Sequence, residues 1–179
     1  MGARHVPPPS GHLGGGRGVT DHALWYFAYG SNMNRTIFLD RRAMHPLATR
    51  RAWLDGYRLC FNIPIGPGER GVANLEADGA ARTWGVLYLL TADEFDHLDR
   101  TELVHLGVYQ RLAVEVGVDG EERLPAFTYR STVTREGRKP SPRYQGLLLE
   151  GARQHALAPE YVEYLERLEL ALDEREANR

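Results

Sequence analysis

The chain has 179 residues, 42% of them apolar and 26% charged, with a net charge of −2. That length suits one domain with a full core, and the near-neutral balance gives no electrostatic pull towards nucleic acid. Cys60 is the single cysteine, so an intrachain disulfide is excluded. No apolar run approaches the roughly 18 residues that suggest a membrane span, and the N-terminus lacks the apolar stretch of a signal peptide. The expectation is a cytoplasmic protein without nucleic-acid or membrane partners.

Residues 1–23 carry Pro7-Pro8-Pro9 and Gly14-Gly15-Gly16 and have little to bury, so a flexible tail is expected there. Its glycines have neither the strand before nor the helix after that a phosphate loop needs. The domain proper is taken as 24–179. Trp25 to Tyr29 reads as a strand that breaks at Gly30-Ser31-Asn32. Three small residues there allow a plain turn, or a cradle of N–H groups for an anion or a polarised carbonyl. Asn34 to Ala43 reads as a short helix with Ile37 and Phe38 inward. The basic residues from Arg41-Arg42 to Arg50-Arg51 read as a solvated helix end and loop, ahead of a phosphate patch. Arg51 to Asn62 reads as a long strand, and Pro64 to Gly71 as a loop. Val72 to Glu76 and Thr83 to Leu90 read as two further strands. Cys60 lies in one of the apolar runs, as a small buried residue.

Thr91-Ala92-Asp93-Glu94 is a capping box that opens a helix to about Asp99, with Phe95 and Leu98 on its inner face. Thr101-Glu102 then reads as loop. Strands Tyr109 to Val116 and Leu124 to Tyr129 should pair through a turn at Asp119-Gly120. Ser141-Pro142 and Ala158-Pro159 open two more helices. In the last, Tyr161, Leu165, Leu168 and Leu172 recur at helical spacing as a packing stripe. Strands in the middle with helices inserted and appended predict an α+β fold, a small mixed β-barrel with flanking and C-terminal helices. Regular βαβ alternation is missing, which argues against a doubly wound dinucleotide fold.

The histidines lack i,i+4 spacing and there is no cysteine pair, so neither a metal nor another cofactor is expected. Ser31 lacks the second glycine of a G-x-S-x-G elbow, since Met33 stands there. Taken alone, Glu102 is a solvated loop carboxylate, and Tyr109 and Tyr144 are packing residues with a surface hydroxyl.

Together, the short motifs resemble those of the γ-glutamylcyclotransferase family and its AIG2-like relatives. They are Tyr29-Gly30-Ser31-Asn32-Met33, Trp84-Gly85-Val86, Leu98-Asp99-Arg100-Thr101-Glu102 and Gly107-Val108-Tyr109. Downstream, Pro140-Ser141-Pro142-Arg143-Tyr144 and Leu157-Ala158-Pro159-Glu160-Tyr161 follow in the same order. The likeness runs from about residue 25 to 170. It implies a nearly closed barrel and an enzyme that cyclises the γ-glutamyl group of a small amide or peptide to 5-oxoproline, releasing the amine. It further implies Glu102 as general acid/base. Tyr29, Gly30, Ser31, Asn32 and Met33 would bind the γ-glutamyl group, and Tyr109 and Tyr144 would line the site. On that resemblance the Gly30-Ser31-Asn32 break is a cradle of donors. Two alternatives accompany this reading: a γ-glutamyl-protected biosynthetic intermediate as substrate, or a non-catalytic module that binds small carboxylates. Relatives specific for glutathione resemble the loop less. A monomer and a homodimer are both compatible with the sequence.

Overall fold

The structure is a computed structural model that describes residues 23–172 apart from 103 and 121. The tail expected over residues 1–23 lies, but for residue 23, outside the described residues. Five strands close a barrel in the order β1-β3-β2-β4-β5. They are β1 (Leu24–Ala28), β2 (Ala48–Pro64), β3 (Gly71–Leu90), β4 (Gln110–Val118) and β5 (Arg123–Arg130). All pairs are antiparallel except the seam, where β1 and β5 run parallel with Tyr26 opposite Phe127. The expected α+β barrel is therefore present, with helices α1 (Ala92–Thr101), α2 (Pro142–Gln154) and α3 (Pro159–Glu166) around it.

β2 and β3 form the spine. The two strands read separately at 72–76 and 83–90 are one strand of 20 residues. The apparent break is a register shift. Asp55 pairs with Arg82 and Tyr57 with Ala77, so residues 78–81 bulge out opposite Gly56 and the ladder resumes. Both faces of β3 are covered near its C-terminal end, which is why Val86, Leu87, Tyr88 and Leu90 are all buried. Tyr26 of β1 and Tyr88 of β3, opposite each other in the ladder, stack beneath Phe38, and Phe95 of α1 meets Tyr26 edge-on.

Local signals explain most helix starts. The Thr91 hydroxyl accepts from the Glu94 N–H at 3.3 Å, and the Ser141 hydroxyl accepts from the Tyr144 N–H at 3.1 Å. The reciprocal half of the first capping box does not form. Glu94 instead accepts from the His45 N–H at 2.5 Å, a tertiary partner that outcompetes the local one. The β4–β5 turn places Gly120 at φ +89°, a conformation that suits glycine.

Further expectations need correction. The segment 34–43 is not a regular helix. A 3₁₀ turn (Ser31–Met33) is followed by a π-helical stretch (Thr36–Arg41), in which the Arg42 N–H reaches back five residues to the Ile37 carbonyl at 3.0 Å. Ile37 and Phe38 are buried as expected. The stripe proposed for α3 also ends early. The helix stops at Glu166, so Tyr161 and Leu165 are buried while Leu172 is 77% exposed. Cys60 is only half-buried; burial pushes its thiol up to about 11, which keeps it protonated.

Candidate active site

The expected β1 break is a 3₁₀ turn at the mouth of the barrel. The Met33 N–H donates to the Gly30 carbonyl and the Asn34 N–H to the Ser31 carbonyl, both at 3.0 Å. The N–H groups that start such a turn, here those of Ser31 and Asn32, have no acceptor within it. From the other side α1 ends at Glu102, whose N–H caps the helix on the Leu98 carbonyl at 2.9 Å. The Asn32 side chain joins the two. Its Nδ2 donates to Glu102 Oε1 and to the Tyr26 hydroxyl, each at 2.9 Å. The Glu102 side chain is 11% exposed, with Arg42 Nη2 3.4 Å from Oε1.

These groups line a cavity of ≈ 230 Å³. Among its described lining residues Glu102 is the one carboxylate and Arg42 the one cation. The rest of the wall is largely phenolic, with Tyr26, Tyr29, Tyr109, Tyr129 and Tyr144, closed by Val72, Ala73 and Val108. Burial pushes all of these tyrosine hydroxyls up, and the Glu102 charge adds to the effect at Tyr26, Tyr29, Tyr109 and Tyr144. They are neutral donors at any working pH.

Each phenol is tied down. The Tyr29 hydroxyl donates to the Tyr129 carbonyl at 2.6 Å, and the Tyr129 hydroxyl donates to Asp99 Oδ1 at 2.5 Å. The Asp99 carboxylate also takes Arg111 Nε at 2.9 Å and Nη2 at 2.8 Å. Tyr144, in the first turn of α2, accepts from the Ala73 N–H at 3.2 Å, and the Ser31 N–H adds to its support. At Gly30 a Cβ would sit 3.1 Å from the Tyr144 hydroxyl and 3.2 Å from Ala73 Cβ, so a side chain there would press on the wall.

The AIG2-like family profile matches residues 82–165. The γ-glutamylcyclotransferase of Homo sapiens is 27% identical over 157 residues, with 85% of this chain and 82% of that one covered. The γ-glutamyl cyclotransferase verK of Clonostachys rogersoniana is 30% identical over 145 residues, with 69% of this chain and 79% of that one covered. This chain belongs to the γ-glutamylcyclotransferase family. It is an enzyme of that family. A solved γ-glutamyl cyclotransferase superposes with a TM-score of 0.73 at 24% identity, covering 88% of this chain and 97% of its own, so the barrel fold is shared.

Of the residues carried over from the family resemblance, the structure brings Tyr29, Gly30, Ser31, Asn32, Glu102, Tyr109 and Tyr144 to one cavity. Met33 is not among its lining. Its side chain is fully buried, and α2 packs against its backbone at Gly151, where a Cβ would meet the Met33 carbonyl carbon at 2.7 Å. Among the lining residues missed from the sequence are Tyr26, Tyr129 and Arg42. Tyr26 lies three residues before Tyr29 and could have been suspected. Tyr129 was read only as the end of a strand. Arg42, read as part of a solvated helix end, turns inward to Glu102, whereas Arg50 and Arg51, in β2 and not in a loop, pair at the surface with Glu122 and Asp119. Among the described residues no three His, Cys, Asp or Glu side chains gather as a metal site would require, and no helix is long and apolar enough to cross a membrane.

Proposed function

We propose that the chain cyclises the γ-glutamyl group of a small γ-glutamyl amide or peptide to 5-oxoproline, with Glu102 as general acid/base. The observation that carries this reading is the single shielded carboxylate of the cavity, held by Asn32 directly beside the N–H groups of the 30–32 turn.

The chemistry uses each part. The substrate α-ammonium gives a proton to the Glu102 carboxylate, and the freed amine attacks the γ-carbonyl carbon. Negative charge develops on the carbonyl oxygen, where the Asn32 N–H of the turn and the hydroxyls of Tyr26 and Tyr144, which accept in the contacts above and keep their own protons to give, are suitable fixed donors. As the old C–N bond breaks, Glu102 returns the proton to the leaving nitrogen. The second proton shed by the attacking nitrogen leaves with the released amine as its ammonium. Ring closure needs a folded γ-glutamyl chain, and a narrow aromatic cavity restricts the chain to such shapes.

The test is 5-oxoproline release from a panel of γ-glutamyl amino acids, γ-glutamyl amines and glutathione, by mass spectrometry. Glu102→Gln keeps the shape and removes the proton carrier. Its turnover should fall by about 10² or more. Equal product from the wild type and the variant would remove Glu102 from this role.

A further inference from the structure

A second cavity, of ≈ 540 Å³, opens beside the first and shares Ser31, Val72 and Tyr144 with it. These three residues form a waist. If the γ-glutamyl group fills the smaller cavity, the scissile amide lies at the waist and the leaving amine extends into the larger one. The walls of the second cavity combine apolar surface from Ile37, Ile65 and Leu147 with the cations Arg70 and Arg143. Its lining contains no acidic side chain, and among the described residues neither guanidinium has an ion-pair or side-chain hydrogen-bond partner. Most of the other arginines bordering the barrel are paired: Arg42 with Glu102, Arg111 with Asp99, Arg82 and Arg123 with Asp55.

The half-buried Arg70 sits on a braced loop. Its carbonyl accepts from the Ile65 N–H at 3.0 Å and from Arg138 Nη1 at 3.1 Å. On either side, the Gly71 N–H donates to the Lys139 carbonyl at 2.8 Å and the Lys139 N–H to the Glu69 carbonyl at 2.7 Å. Arg143 stands on the first turn of α2, next to Tyr144. Two guanidiniums on supported backbone, above an apolar floor, match a leaving group that has both an apolar body and an anionic end.

We propose that Arg70 and Arg143 form a leaving-group subsite for an amine that bears a carboxylate and a sizeable apolar side chain. This rests on the cyclisation reading, and it separates such substrates from γ-glutamyl derivatives of uncharged amines. The test compares γ-glutamyl-leucine with γ-glutamyl-isopentylamide, which differ only by the leaving-group carboxylate. For the wild type kcat/KM should favour the leucine compound by roughly tenfold or more, the scale of one charge-assisted contact. In the Arg70→Gln/Arg143→Gln protein the ratio should fall towards one, and Arg70→Lys/Arg143→Lys should keep part of it. Because each ratio is taken within one protein, a lowered folded fraction cancels. A wild-type ratio near one, or a ratio unchanged in the glutamine variant, overturns the subsite. If neither compound is turned over, calorimetric titration of both into wild type and the glutamine variant separates the two ideas. Tighter binding of the leucine compound, lost in the variant, upholds the subsite while the reaction fails. Equal binding of the two overturns the subsite as well.

Discussion

Asn32→Ala tests whether this side chain is placed for chemistry or for stability. Asn32 is 5% exposed, and its Oδ1 is buried without a partner. The orientation of the amide follows from Glu102, since an ionised carboxylate needs the Nδ2 donor and would repel Oδ1. Truncation removes the bond to the Tyr26 hydroxyl, worth about 1 kcal/mol, and the bond to the carboxylate, worth about 1.5–3 kcal/mol. It also removes the orphaned acceptor, whose desolvation costs about 1–3 kcal/mol. These terms partly offset, so urea unfolding should show a loss of no more than about 3 kcal/mol. Activity has no such offset. The carboxylate loses the donor that aims it, and kcat/KM should fall about 10- to 100-fold, the equivalent of that one charge-assisted bond. Tyr26→Phe, which deletes an acceptor and leaves the Asn32–Glu102 bond in place, should cost much less activity. The assay is steady-state 5-oxoproline release beside urea unfolding of the same preparations. A kcat/KM within twofold of wild type, or a stability loss that accounts for the lost activity, would refute the reasoning.

Two further outcomes are expected. Asp99→Ala strips the acceptor from both Tyr129 and the largely buried Arg111, which also stacks on Phe95 at 4.2 Å, so stability should drop by about 2 kcal/mol or more in urea; an unchanged unfolding midpoint would remove the clamp on α1. His155 is held below its ordinary value near 6.5, first by burial and then by the Arg35 charge, against a hydrogen bond with the Met33 carbonyl. The unfolded chain therefore takes up this proton first. Its contribution to stability is complete above about 6.5 and declines as the pH falls from there towards the lower folded value. His155→Gln should flatten that part of the stability profile, and an identical slope in wild type and variant would remove His155 as its cause.

What the sequence made legible was local. Caps at Thr91 and Ser141, the Asp119-Gly120 turn and the end of β1 at Gly30 are each decided by neighbours in the chain, and each was read correctly to within a residue or two. The failures are decided by distant partners. Nothing near Asp78-Gly79 says that a single strand bulges and resumes there, because the partner that carries it through lies some twenty residues upstream around Gly56. Nothing near Arg42 says that it turns inward, because its partner is Glu102 and its direction comes from an irregular π-helical stretch. The family resemblance named residues that meet in one cavity across such distances, and it also named Met33, whose side chain packs behind the turn and does not line that cavity.

That packing explains why the site depends on α2. The 30–34 segment is held by Tyr88, whose hydroxyl donates to the Asn32 carbonyl at 3.1 Å, by Glu102 through Asn32, and by α2. Gly151 is the point of closest approach: a Cβ there would lie 2.8 Å from the Asn34 nitrogen, so only glycine lets the helix rest on the turn. The neighbouring Glu150 and, one turn towards the N-terminus, the Leu147 carbonyl accept from Asn34 Nδ2 at 2.7 and 3.5 Å. The same helix begins with Tyr144, which lies on the waist between the two cavities. A rigid helix fixed at Gly151 therefore sets where the Tyr144 hydroxyl stands relative to Ser31, and so sets the width of the passage between the smaller and the larger cavity. If the two cavities hold the γ-glutamyl and leaving groups as proposed, substrate choice is tied to a packing contact that touches no substrate.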